Sequence, residues 1–344
     1  MPVTVKCEEF GVASKTAVHL YRLRSSAGLE VAVCTWGATT VSVCAPDRTG
    51  LVQDVTLNHP DLASIQEQDN YYGATIGRVA STISGARYKL GNKEFKLSAN
   101  INGQHHAHGG FRGFDKQVWQ AEVLPSSSAE EASVCFCYTS IDGEEGYAGT
   151  LTARVTYTVT ATNELVLEYW ATTDKPTPIN LTNHTYWNLS GDCAEDILSQ
   201  RLVIHSSQMQ QSPMESAKLT PTSGTPYDFR SDKQHGERIG SRIKDTPEGI
   251  GYDNVYVLDA TPNAAESADA AGRAAKSDAN RVEDGGTASD TPNTFAGGDG
   301  AWTGSSAMRP AARLVDETSG RVMEVLTNQV SRIEARPRVL FSLI

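Results

Sequence analysis

The sequence predicts an all-β fold, a large antiparallel β-sandwich. Three features carry that expectation. Apolar residues recur with a period of two through most of the chain, the strand-like pieces are separated by Gly, Asn, Asp and Pro, and long segments of period 3.6 are scarce. A strand turns successive side chains to opposite faces, so period two marks a strand with one face in a core. With 344 residues, 39% of them hydrophobic, the chain can bury a core of that size.

The elements follow in order. Leu29, Val31 and Val33 alternate as a strand, and after a WGAT bend Val41 and Val43 alternate as the next. A helical turn is expected around residues 59–66. In TLTARVTYTV, Leu151, Ala153, Val155, Tyr157 and Val159 fall on one face, while Thr152, Arg154, Thr156 and Thr158 fall on the other. The polar group ATNE then turns the chain into LVLEYWATT, which predicts a hairpin. Residues 252–258 and 312–314 read as later strands. Between them, 261–306 is rich in Ala, Gly, Asp, Ser and Thr and poor in large apolar residues. Such a segment buries too little surface to offset its ordering entropy, and it reads as a disordered insertion. The expected organisation is one domain over 1–329, interrupted by that insertion, followed by an atypical C-terminal tail, 330–344.

Composition excludes several functions. A net charge of −11 argues against a nucleic-acid or anionic-membrane surface, which needs a basic face. No run reaches 18 apolar residues, so no span is expected. The start, MPVTVKCEEF, has no apolar signal core and reads as a mature end. The six cysteines are scattered without a CxxC pair, and Cys135 and Cys137 would share one face of a strand, poor geometry for a disulfide. Reduced thiols and a cytoplasmic location are expected. Asn180, Asn183 and Asn188 each open an N-x-Ser/Thr triplet, and glycans there would cover the site considered next, which also favours the cytoplasm.

Chemistry concentrates in two stretches. In LTNHTYWNLSG, residues 181–191, His184 lies among small hydrogen-bonding residues and the aromatics Tyr186 and Trp187. In HHAHGGFRGFDK, residues 105–116, His108 precedes glycines that allow a tight loop close to a ligand. Asp253, in GYDNVYVL, stands just before an apolar strand. Each residue alone has an ordinary structural explanation: a core histidine, a turn, a turn-making aspartate. The chain contains no GxSxG, HExxH or P-loop. His105, His106 and His108 lack an evident fixed partner for a metal, so no metal is expected.

Together these stretches resemble the aldose 1-epimerase family, the galactose mutarotases. The resemblance rests on NYYGATIGRVA (70–80), HGGFRGFDKQVW (108–119), YTSIDGEEGYAG (138–149), LTNHTYWNLSG, LTPTSGTPYDFR (219–230) and GYDNVYVL (251–258), in the family's order over roughly residues 5–329. It implies a galactose mutarotase-like supersandwich with an open sugar-binding cleft, and an isomerase that interconverts the α and β anomers of glucose or galactose. No cofactor is implied, because no electron or group leaves. The residues carried over are His184 as general acid and His108 and Asp253 as binders of sugar hydroxyls. Tyr186 is a possible wall of the site. The implied partner is a small hexose, with no nucleic acid and no membrane, and the protein is expected to be a monomer or weak dimer.

Two departures from the family pattern stand out. After GRVA the family usually carries Asn-Arg; here the pair is Ser81-Thr82, whose hydroxyls can still bond a sugar while the cation is gone. Arg78 and Arg87 are the cations left nearby. The family's general base is a glutamate beyond a Gly-Asn-Phe-Leu segment near the end. Here the match stops near residues 325–329, and the tail VSRIEARPRVLFSLI holds one acid, Glu334, out of that context. The base is therefore unknown; Glu145, in DGEEGY, is another carboxylate to weigh. A catalytically silent sugar-binding protein is the alternative to the enzyme. A hexose-phosphate epimerase would need clustered arginines, and a glycosidase a paired carboxylate site.

Overall fold

The computed structural model describes residues 2–126, 128–193, 195–210, 218–230, 236–246, 251–259 and 308–328, and the backbone of 332–335 and 341–343. The stretch 261–306 lies outside the described residues. Strands β1 (Thr4–Ala13), β2 (Thr16–Arg24), β3 (Glu30–Cys34), β4 (Thr39–Pro46) and β5 (Val52–Asp54) form one antiparallel sheet in sequence order. The Leu29–Val33 alternation falls on β3, and Val41 and Val43 on β4. The expected helical turn is α1 (Leu62–Glu67). Asp61 caps it by accepting the Ser64 N–H at 2.8 Å, and the helix buries Leu62 and Ile65.

Five short strands follow around the turns: β6 (Thr75–Ile76), β7 (Thr82–Ile83), the hairpin β8 (Arg87–Leu90) and β9 (Lys93–Lys96), and β10 (His106–Ala107), which pairs with β7. The second large sheet is β11 (Gln120–Leu124), β12 (Glu131–Ser140), β13 (Leu151–Thr160) and β14 (Leu165–Thr173), an antiparallel meander. The predicted hairpin is β13–β14, with Val159 opposite Leu165. All five predicted inward residues of β13 are buried, from Leu151 at 0% to Val155 at 1% exposure.

The remaining strands are β15 (Thr182–Asn183), β16 (Arg201–Ile204), β17 (Gln208–Gln210), β18 (Leu219–Pro221), β19 (Glu237–Arg238), β20 (Asn254–Val257), β21 (Arg309–Val315), β22 (Val322–Thr327), β23 (Arg332–Ala335) and β24 (Phe341–Leu343). They give sheets in the orders β19-β16-β21-β22 and β18-β17-β20-β23-β24, while β15 pairs with β6. Two pieces of the atypical tail are thus strands by backbone pairing, although their residues show no clean alternation. Glu334 falls opposite Val255 in register.

One continuous apolar core joins the sheets. Leu23, Val31, Val33 and Val43 meet Val134, Phe136, Leu151, Val155 and Tyr157, and the cluster extends to Leu202, Tyr256 and Leu314. Burying a Val, Leu or Phe side chain contributes about 1.5–3 kcal/mol. Tyr21 meets Phe136 edge-on across the two large sheets, at 5.7 Å between centroids. All six cysteines are free thiols. Among the described residues, no helix is long and apolar enough to cross a membrane.

Candidate active site

The small polar residues of LTNHTYWNLSG have a structural job. The main chain of this segment is laced to two others: His184 N–H donates to Ala74 O at 2.9 Å, Gly73 N–H to His184 O at 3.0 Å, and Leu57 N–H to Tyr186 O at 2.9 Å. Asn183 is a hub. Its amide donates to Gly73 O at 2.9 Å, Tyr157 Oη at 3.0 Å and Thr40 Oγ1 at 3.3 Å, and its carbonyl oxygen accepts the Thr185 N–H at 3.0 Å. Asn188 accepts from Ser190 N–H, Ser190 Oγ and Gln200 Nε2. These bonds fix the backbone on both sides of His184 by groups that cannot slide.

His184 is buried, 1% exposed, and its ring belongs to an aromatic cluster. The His108 ring lies 5.3 Å away at 76°, Tyr186 4.9 Å away, and Tyr71 stacks at 5.9 Å while lying 4.9 Å from His108. His108 retains 8% exposure. Two imidazolium ions at 5.3 Å would repel by about 3 kcal/mol at an effective permittivity near 20. Lys116 Nζ is 5.3 Å from the Tyr71 ring centroid and 3.1 Å from Asp115 Oδ2. Asp115 is itself buried, which pushes its carboxyl above the usual range, against the pull of Lys116.

The HGG loop explains its glycines. At Gly109, with φ of +89°, a Cβ would come within 1.8 Å of Gly77 O; at Gly110, with φ of +105°, it would come within 2.1 Å of Glu145 Oε2. Glu145 holds this loop. Its carboxylate accepts the Arg112 N–H at 2.9 Å, the Phe111 N–H at 3.1 Å and the Ser98 hydroxyl. Glu145, the other carboxylate weighed in the sequence, is thus engaged with the backbone of the loop that carries His108.

His106 is structural too. Its Nδ1 donates to Ser98 O at 2.7 Å, its Nε2 meets Tyr147 Oη at 2.7 Å, and burial pushes its proton affinity below the ordinary value. Among the described residues no group of three His, Cys, Asp or Glu could hold a metal ion.

The structure brings together His184, His108, Tyr186, Ser81 and Thr82. Ser81 N–H donates to His108 Nδ1 at 3.3 Å, and Thr82 pairs with Ala107 next to it. Asp253 is exposed, one residue ahead of β20. Arg78 is not a replacement cation for the sugar. It is 1% exposed and donates to Ser140 Oγ, Ser140 O, Ile141 O, Ala148 O and Thr177 Oγ1 at 2.8–3.4 Å. Arg87 lies exposed on β8, near Glu94. A shallow surface recess, too small to hold a ligand, is walled by residues that include Arg78, Arg112, Phe114, Glu144, Glu145 and Tyr147; neither His108 nor His184 lines it. Sequence reasoning missed Tyr71, Lys116 and Asp115. The available signal was their position inside matched motifs, NYYGATIGRVA and HGGFRGFDKQVW.

The site is thus two imidazoles packed together and walled by tyrosines in an all-β sandwich, side chains of the kind that acid–base chemistry uses. The comparisons then fix the family. The sequence profile of aldose 1-epimerase matches residues 19–331, and the chain belongs to the aldose 1-epimerase family. It is 36% identical over 228 residues to the galactose mutarotase of Rattus norvegicus, covering 65% of this chain and 64% of that protein. It is 34% identical over 245 residues to the aldose 1-epimerase of Escherichia coli K12, covering 70% and 68%. The chain thus spans a little under two thirds of the length of the mammalian relatives it matches. Among solved structures, an aldose epimerase homologue from C. elegans superposes with a TM-score of 0.70 at 20% identity, covering 95% of this chain and 89% of that one. A galactose 1-epimerase from Lactobacillus acidophilus gives 0.66 at 24%, covering 76% and 75%. At these identities the structural likeness establishes the fold.

Proposed function

We propose that this protein interconverts the α and β anomers of an aldohexose, glucose or galactose, by acid–base ring opening. A base removes the C1 hydroxyl proton while an acid protonates the ring oxygen. The C1–C2 bond then rotates, and closure gives the other anomer. His184 is the general acid, since an imidazole exchanges a proton near neutral pH. His108, Asp253, Ser81 and Thr82 bind hydroxyls, and Tyr186 flanks the site. The enzyme works as a monomer or weak dimer in the cytoplasm, without cofactor. The observation that carries the reading is the packing of His184 and His108 at 5.3 Å between two tyrosines, on a segment whose backbone is fixed on both sides.

The base is not assigned. Of the described carboxylates near the ring cluster, Glu145 is held by loop N–H groups and Asp115 by Lys116. That engagement favours the second reading, a sugar-binding protein of the same fold with impaired or silent catalysis. Polarimetry of freshly dissolved α-glucose and α-galactose separates the two. Decay faster than in buffer, abolished by His184→Ala, supports the enzyme, and full activity in that variant overturns the role of His184. Saturable hexose binding by calorimetry without acceleration supports the silent binder. Neither binding nor acceleration refutes both readings.

A further inference from the structure

We infer that the main-chain N–H of Ser81 holds His108 Nδ1 as an acceptor, so that the neutral His108 ring carries its proton on Nε2. The inference rests on the site proposed above and adds a division of labour within it. It starts from the neighbouring histidines, whose ring nitrogens each face a group of known character. Gly85 N–H donates to His105 Nδ1 at 3.2 Å. His106 Nδ1 faces a carbonyl, Ser98 O at 2.7 Å, and must therefore carry its own proton. His108 Nδ1 faces the N–H of Ser81 at 3.3 Å.

A backbone amide has one fixed proton and does not ionise, so the nitrogen opposite it must offer a lone pair. In a neutral ring that leaves the proton on Nε2. Charging the ring would set a second N–H against the first and lose this bond. The contact is reciprocal, because His108 N–H donates to Ser81 O at 3.1 Å. Both residues are left-handed, Ser81 at φ +64° and His108 at φ +49°, as the closed pair requires. Around the ring lie, among others, Tyr71 on the loop before β6 and His184 after β15, with Lys116 beyond Tyr71 and Glu145 on the loop's N–H groups.

The chemical consequence is specific. His108 presents an N–H, which binds a hydroxyl oxygen through its lone pair and cannot accept the C1 proton. It orients the hexose; it is not the missing base. Toward His108, Ser81 is a positioning residue that acts through its amide.

The test is ¹H–¹⁵N long-range correlation spectroscopy of the full chain labelled at histidine, at pH 7.5, with His108→Asn used to assign the signals. The expected pattern is an unprotonated Nδ1 and a protonated Nε2 for His108, unchanged in Ser81→Ala, which keeps the amide. A protonated Nδ1, a doubly protonated ring, or a tautomer that flips in Ser81→Ala overturns the inference. The expected pattern in a protein that fails to speed mutarotation refutes the catalytic reading while the tautomer assignment stands.

Discussion

Glu145→Gln separates a positioning carboxylate from a catalytic one. The carboxylate makes three hydrogen bonds: Oε1 with Arg112 N–H at 2.9 Å, and Oε2 with Phe111 N–H at 3.1 Å and with the Ser98 hydroxyl. The amide keeps one acceptor oxygen and turns an NH₂ toward the other donor. With its oxygen in the place of Oε2, the amide loses the charged bond to Arg112, about 1.5–3 kcal/mol, and the two surviving bonds fall to about half their strength. Phe111 and Arg112 are exposed, so water recovers part of this. The net loss is about 1–2 kcal/mol of unfolding free energy, read by urea denaturation.

Loosening the loop that carries His108 should also raise KM, by up to about tenfold for 1.4 kcal/mol, with kcat changed much less. A general base behaves in the opposite way. Its loss lowers kcat by about 10²–10⁴ and leaves stability alone. A collapse of kcat at unchanged urea midpoint would refute the positioning argument and return Glu145 to the list of bases.

Two further outcomes follow from buried groups. Arg78→Met leaves the carbonyls of Ser140, Ile141 and Ala148 without their donor, and should cost about 3–5 kcal/mol in urea denaturation; a loss under about 1 kcal/mol contradicts the buried network. His106 is held neutral by burial, with its proton affinity below the ordinary 6.5. Below that pH the unfolded chain binds the proton that the native state refuses, so His106 lowers stability as pH falls from 7.5 to 5. His106→Asn should flatten this slope, and parallel profiles for the two proteins contradict it.

Period two was enough to find β13 and its hairpin with β14, because β13 is long and turns alternate residues into the core; it also marked β3 and β4 through the apolar alternation of one face, although β3 is buried on both. It could not find β6, β7, β10 or β15. A two-residue strand has no period, and these exist through pairing with distant chain. The same limit governs the site. His184, His108 and Tyr186 were legible from motifs. Arg78 read only as a cation left near the site, because most of its acceptors are backbone carbonyls, which leave no mark in the residue types around it. Glu145 read as a loop acid for the same reason: two of its donors are main-chain N–H groups.

That reliance on the main chain bears on the departure at Ser81-Thr82. A side chain that contacts a sugar can change with the ligand, but whatever fixes the catalytic frame must persist. Here the frame around His108 is a backbone pair with Ser81, and the frame around His184 is a ladder to residues 57, 73 and 74. Neither depends on the hydroxyl of Ser81 or on the side chain of Thr82. Position 81 must only reach φ +64° and keep its N–H, a demand that Ser, Asn, Asp or Gly meets and that proline cannot. The site can therefore lose a cation at position 82 and weaken its hold on a hexose without disturbing the two imidazoles. Restoring that cation with Thr82→Arg should lower KM or the hexose dissociation constant while the His108 tautomer stays as it is. A variant that binds no tighter would show that the half-buried side chain of residue 82 does not face the sugar.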